Sequence, residues 1–213
     1  RQAISEALPH ATQVADRWHL LQNASDAFLA AAPSLVPGAP VFAFSAPGGD
    51  AVCGVVRGMS DAGLPAEHGL VWMKHSAVLS RSDVNYQHEA LHLGWKSGGD
   101  RLWYADGPVS SVWTCDRPTV SKAHPTMKPP ALLEQAVAVG SMAGDTILDI
   151  FGGSGSTLVA GHRLGRRVVL VELNEQFASV ICRRARHELG LEPVRSDGVT
   201  FSQREAELVS AEA

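Results

Sequence analysis

Hydrophobic residues along this chain fall into short blocks that switch between a spacing of two and a spacing of three to four. Val41-Phe42-Ala43-Phe44, set behind Pro37-Gly38, reads as a buried strand, and Gly69-Leu70-Val71-Trp72-Met73-Lys74 as another. Strands are predicted near 41–45, 69–74, 146–150 and 167–172. Helical spacing dominates at about 20–32, 51–62, 130–141, 156–164 and 175–189; the run Leu132, Leu133, Ala136, Val137 and Val139 is the clearest case. Proline, glycine and aspartate mark loops at 33–40, 46–50, 96–100 and 117–125. This alternation predicts an α/β domain whose sheet is mostly parallel, with helices on both faces. The acidic, alanine-rich residues 200–213 read as a frayed, disordered tail.

One segment adds chemistry to this pattern. Between the strand-like Thr146-Ile147-Leu148 and the helix-competent run from Ser156 stands Asp149-Ile150-Phe151-Gly152-Gly153-Ser154-Gly155-Ser156-Thr157, and the next strand closes at Glu172. Glycines at such a turn let backbone approach a ligand, and an acid ending the second strand can accept hydrogen bonds from ribose hydroxyls. Two cofactors fit a β-loop-α-β unit of this kind. A pyrophosphate on the helix N-terminus would meet Asp149 as a like charge, whereas the sulfonium and ammonium groups of S-adenosylmethionine would not. S-adenosylmethionine is therefore favoured over a dinucleotide.

Just upstream lies His124-Pro125-Thr126-Met127-Lys128-Pro129, a rigid turn feeding the 130–141 helix. In this order and spacing, the two motifs resemble the circularly permuted (β-class) DNA methyltransferases, the N-4/N-6 DNA methylase family, which modify exocyclic amino groups of adenine or cytosine. The resemblance covers roughly residues 29–190. It implies a Rossmann-like fold of the S-adenosylmethionine-dependent methyltransferases. Asp149, Phe151, Gly152, Gly153, Ser154 and Gly155 match positions that hold the methionine part of the cofactor, with Thr157 opening the helix and Glu172 matching the ribose ligand. His124, Pro125, Thr126 and Lys128 match the turn that completes the pocket. The family's Trp-x-Lys strand, followed by a polar segment leading to His-Glu, makes Lys74 and His88-Glu89 site candidates. Residues 75–123 correspond to a target-recognition region, where Arg81, Lys96, Arg101 and Arg117 are candidates for DNA phosphates alongside Lys74 and His88. No third ligand stands at a metal-site spacing from His88-Glu89, so no metal is expected.

The sequence also departs from the family. Its catalytic motif, an acid, serine or asparagine followed by Pro-Pro and an aromatic ring, accepts hydrogen bonds from the target amino group and stacks on the flipped base. It should precede the strand at Val41, and the one Pro-Pro here, Pro129-Pro130, belongs to the cofactor turn. The catalytic residues are therefore unassigned and the fold is expected to be incomplete at its N-terminus. The stretch from Ala7 to Leu21 instead resembles part of a DDE-type insertion-sequence transposase, with Asp16 as one of three metal-binding acids. A two-metal site needs several converging carboxylates, so this piece would not cut DNA by itself. If residues 12–15 fill the vacated strand position, Asp16 becomes the stand-in catalytic candidate. The expected division is a mobile-element fragment at 1–28, a methyltransferase domain at 29–199 and a tail at 200–213.

Composition narrows the rest. With 213 residues, 45% of them hydrophobic, the chain can bury one sizeable core. A net charge of −4 leaves any DNA contact to a local patch rather than a global basic field. Three cysteines without paired spacing, and neither a long apolar run nor a signal-peptide pattern, suit a reduced cytoplasmic setting. Double-stranded DNA is the expected partner, no membrane is, and a homodimer is the candidate assembly. Three functions stay open at this stage: a DNA methyltransferase of a restriction-modification kind, a non-catalytic remnant that binds cofactor or DNA, and a nicotinamide-dependent oxidoreductase.

Overall fold

The computed structural model describes residues 17–77, 83–116 and 127–211. The chain divides into two compact units, Arg1–Asp116 and Arg117–Ala213. In the first unit, helix α1 (Arg17–Ala31) runs into a single 3-10 turn (Ala32–Ser34), then β1 (Pro40–Ser45), α2 (Gly49–Asp61), β2 (Ala66–Met73), β3 (His88–Trp95) and the short β4 (Val112–Thr114). The second unit holds α3 (Pro130–Gly140), β5 (Thr146–Asp149), α4 (Ser156–Arg163), β6 (Arg167–Leu170), α5 (Glu175–Leu189) and α6 (Phe201–Ala211). Among the described residues no helix is long and apolar enough to cross a membrane.

The sheet of the first unit has the order β1-β3-β2-β4. The α/β class is as expected, but the pairing is mixed: β3 runs antiparallel to both β1 and β2, while β4 is parallel to β2. The sequence reading took His88-Glu89 as the end of a polar segment, whereas those residues open β3. Strict alternation explains the strand. Glu89, Leu91, Leu93 and Trp95 share one face and His88, Ala90, His92 and Gly94 the other, and the whole C-terminal part of the strand is buried. Trp72, Met59, Leu64 and Leu91 are the largest side chains sealed in this core. Helices α1 and α2 approach closely because a Cβ at Gly58 would stand 2.5 Å from Ser25 Oγ.

Two polar side chains are buried across the β1–β3 pair, where Ser45 Oγ lies 2.9 Å from His92 Nε2. Burial pushes the His92 imidazole below its ordinary value of 6.5, so the folded unit holds it neutral. The unfolded chain takes up that proton first as pH falls. Stability attached to His92 is therefore complete above about pH 6.5 and declines below it, by at most about 1.4 kcal/mol per pH unit. All five tryptophans precede residue 117, so tryptophan emission reports on this unit. Urea midpoints followed by that emission should drop between pH 7 and pH 5 in the wild type, and drop less in His92→Gln, which keeps an acceptor for Ser45 and does not titrate. Equal drops in the two proteins would show that His92 does not carry the effect.

In the second unit β5 and β6 pair in parallel, Thr146 with Arg167 through Asp149 with Leu170. A right-handed β-loop-α-β connection needs its helix close to the strands, and Gly161 provides that approach: a Cβ there would sit 2.4 Å from Val168 Cγ2. Helix α5 begins at Asn174, whose Oδ1 accepts from the Gln176 and Phe177 amides, and ends at Gly190 in the left-handed region (φ 68°). The residues read as a frayed tail instead form α6. Glu205 accepts from Arg186 Nη1 at 2.6 Å and from Arg183 Nε at 3.1 Å, and Phe201 lies beneath the Arg186 guanidinium. Alanine and glutamate are good helix formers, so a composition that suggests a loose tail equally suits a helix with something to pack on.

Candidate functional site

Asp149 ends β5, and from it the chain turns through glycines into α4. Its carboxylate ties the turn from below: Oδ1 accepts from the Phe151 amide at 2.9 Å and Oδ2 from Thr157 Oγ1 at 2.6 Å. The turn needs glycine at two points, since Gly153 has φ 53° and Gly155, which caps α4, has φ 78°. Gly152 is there for room. Its amide donates to Val171 O at 2.9 Å, and a Cβ would press within 3.3–3.4 Å of Val171 O, Ile181 and Leu170.

The second acid reaches the same turn. Glu172, two residues past the end of β6, accepts from the Gly153 amide through Oε2 at 2.6 Å and from the Asn174 amide through Oε1 at 2.8 Å. Asp149 and Glu172 thus stand at the ends of neighbouring parallel strands and both bond to one loop. The loop is held at further points. Ser156 Oγ donates to Lys128 O at 2.7 Å, which joins the proline turn to the first residue of α4. From α5, Arg184 Nη1 donates to Ser154 O at 2.9 Å and to Ser156 Oγ at 3.2 Å. Phe151 is 55% exposed.

Of the residues singled out from sequence, Asp149, Phe151, Gly152, Gly153, Ser154, Gly155, Thr157 and Glu172 come together here, with Lys128 joined through its carbonyl. Asp16, Arg81, Arg117, His124, Pro125 and Thr126 lie outside the described residues. The DNA candidates of the first unit are differently placed. Lys74 is a buried ion pair: its ammonium meets Glu89 at 3.0 Å, sits over the Trp72 ring and leaves only 7% of the side chain exposed. That is the environment of a core cation, not of a surface contact for phosphate. Arg101 stacks on Trp95 and pairs with Glu67, His88 meets Tyr86 edge to face, and Lys96 follows the last residue of β3, half-buried. Among the described residues no group of three or more His, Cys, Asp or Glu gathers as a metal site.

Sequence reasoning missed Arg184 as part of the site. Arg184 sits in the arginine pair Arg183-Arg184 on a surface helix, and nothing local separates the one that turns inward from its neighbour. The available signal was the spacing of Ile181, Arg184 and Glu188, which share a helix face; Ile181 is the side chain that a Cβ at Gly155 would touch, at 3.1 Å.

The chain is 40% identical over 146 residues to the type II methyltransferase M2.DpnII of Streptococcus pneumoniae, covering 61% of this chain and 54% of that protein. It is 26% identical over 142 residues to the type II methyltransferase M2.LlaDCHI of Lactococcus lactis subsp. cremoris, covering 59% and 53%. It spans about half the length of these curated relatives. Among solved structures, the M1.HpyAVI–SAM complex superposes with a TM-score of 0.63 at 20% identity, over 79% of this chain and 83% of that one. The cytosine-N4-specific PvuII DNA methyltransferase superposes with a TM-score of 0.62 at 17% identity, over 77% and 71%. The fold is that of the S-adenosylmethionine-dependent DNA methyltransferases. A family model described as DNA methylase, N6_N4_Mtase, matches residues 67–183, more than half of the chain, and the chain therefore belongs to that family.

Proposed function

We propose that this chain holds S-adenosylmethionine on the loop from Asp149 to Thr157, with Glu172 facing the ribose and the turn at 124–128 closing the pocket. It would serve transfer of a methyl group to the exocyclic amino group of adenine or cytosine in double-stranded DNA. The observation that carries the cofactor assignment is the Gly153 amide. At a dinucleotide-binding turn that N–H would be aimed at a pyrophosphate; here it donates to Glu172 at 2.6 Å. With Asp149 beneath the same turn, the loop carries two carboxylates and suits a ligand with a cationic centre and hydroxyl groups. When bound, the cofactor supplies an electrophilic methyl group on its sulfonium. The chain's own residues orient it: Glu172 accepts hydroxyl protons, the glycines admit it close to backbone, and Phe151 covers its exposed side.

The transfer itself is proposed to be impaired in these 213 residues. Pro129 and Pro130 cap and open α3, so the one Pro-Pro pair serves as a helix start, and no acid-Pro-Pro-aromatic motif aims an acceptor at a target amino group. Orientation of that group is a large part of the rate. Likeness to type II methyltransferases supports the modification half of a restriction-modification system as the setting.

Titration calorimetry with S-adenosylhomocysteine, repeated in excess NAD, tests the assignment. Binding that NAD does not displace is the expected result, together with no incorporation of labelled methyl into duplex DNA. Displacement by NAD would overturn the cofactor assignment, and incorporation would show that transfer runs without the motif.

A further inference from the structure

We propose that Arg184, which belongs to neither sequence motif, is a positioning residue that locks the glycine loop to the Met127–Pro129 end of the proline turn, and that cofactor affinity depends on this lock. The inference deepens the cofactor reading above and rests on it.

The hydrogen bonds have a direction that cannot be reversed. A guanidinium only donates, so Ser156 Oγ must accept from Arg184 at 3.2 Å, and its single proton is then free to go to Lys128 O at 2.7 Å. A second bond from the same Nη1 holds Ser154 O at 2.9 Å, and Met127 Sδ lies 3.8 Å from that nitrogen. One guanidinium nitrogen therefore touches the loop at Ser154, the start of α4 at Ser156 and the residue before Lys128. The far edge of the guanidinium is held too. Glu188, one turn on in α5, accepts from Nε at 2.6 Å and from Nη2 at 3.2 Å, and this contact draws the Glu188 carboxyl below its usual range. Arg184 is only 11% exposed, and both serines are buried. A fork gripped at both ends and shielded from water is far more rigid than a surface ion pair.

What the lock controls follows from what it joins. Ser154 and Ser156 flank Gly155, whose left-handed conformation sets the exit of the loop, and Lys128 immediately precedes the Pro129 cap of α3. Without Arg184 the Ser154 carbonyl loses a charge-assisted donor in a buried place, and the Ser156 hydroxyl loses the partner that points its proton at Lys128. Loop and turn would then move separately, and a ligand held by both would bear the cost of ordering them.

The experiment uses the full chain and the variants Arg184→Met, Arg184→Lys, Ser156→Ala and the double variant Arg184→Met/Ser156→Ala. S-adenosylhomocysteine should bind Arg184→Met about tenfold more weakly than wild type, the loss of roughly one charge-assisted hydrogen bond. Arg184→Lys, keeping charge and one donor, should recover part of that loss. The double variant should bind within about twofold of Arg184→Met, because both changes cut the same chain of bonds. Amide exchange by NMR in the ligand-free protein supplies an independent arm. The Gly155 amide, bonded to Gly152 O, and the Leu132 amide, bonded to Pro129 O, should exchange faster together in Arg184→Met and together but less in Arg184→Lys.

Affinities of both Arg184 variants within about twofold of wild type, or faster exchange at Gly155 with none at Leu132, would overturn the proposal. If wild type binds no S-adenosylhomocysteine, the cofactor reading fails, and the exchange arm still decides whether Arg184 couples loop to turn.

Discussion

Asp149→Ala should weaken S-adenosylhomocysteine binding by about a hundredfold, while Asp149→Asn should keep the loop and still lose affinity. The two substitutions separate a geometric role from an electrostatic one. Alanine removes both acceptors, releasing the Phe151 amide and the Thr157 hydroxyl that now meet at 2.9 and 2.6 Å; each such bond to a charged group is worth about 1.5–3 kcal/mol. Asparagine keeps the connections, because its carbonyl can accept from Phe151 while its amide donates to a rotated Thr157 hydroxyl. It removes only the charge. Calorimetric affinities set beside thermal melts of each variant distinguish the roles: an Asp149→Asn protein that melts like wild type and binds as tightly would show that the charge plays no part, and with it would go the case against a pyrophosphate.

The second large effect is expected at Gly155. Its φ of 78° lies where side-chain-bearing residues are strained, and a Cβ there would stand 3.1 Å from Ile181 Cγ1. Valine combines the backbone cost of a left-handed residue, about 1–2 kcal/mol, with overpacking of about 1–3 kcal/mol. Gly155→Val should therefore lose about 2–5 kcal/mol and retain no measurable binding of S-adenosylhomocysteine. Far-UV circular dichroism in urea measures the first quantity and calorimetry the second. Gly155→Val/Ile181→Ala relieves the contact and leaves the backbone strain, so it should recover stability only in part; full recovery would show that the left-handed conformation costs nothing here.

The loop and its two acids were legible in the sequence because the chemistry is local. Three glycines, an acid before them and an acid closing the next strand all lie within one β-loop-α-β stretch, where spacing alone fixes proximity. The helices at 130–140, 156–163 and 175–189 were equally plain from their period. What escaped depends on residues far apart in the chain. Strand β3 was hidden because His88, Glu89 and His92 look like surface, and the distant partners Lys74 and Ser45 help make burial of Glu89's neighbourhood and of His92 tolerable. The antiparallel course of β3 was likewise invisible, since strand direction is set by which neighbours a strand finds and not by its own composition. Lys74 was read as the last residue of a Trp-containing strand, which in the structure ends at Met73, and its charge is met by Glu89 inside the unit, which no motif announces. Arg184 was indistinguishable from Arg183 until α5 was laid against the loop.

Glu172 has one more consequence for the proposed ligand. A carboxylate offers about four acceptor positions, and the amides of Gly153 and Asn174 occupy two. The remaining two are enough for a pair of vicinal alcohols, so the proposed nucleoside would engage Glu172 without breaking the bonds that hold the loop. A receptor already shaped before its guest arrives spends little of the contact energy on rearrangement, and its association rate should follow diffusion and encounter geometry rather than a slow opening step.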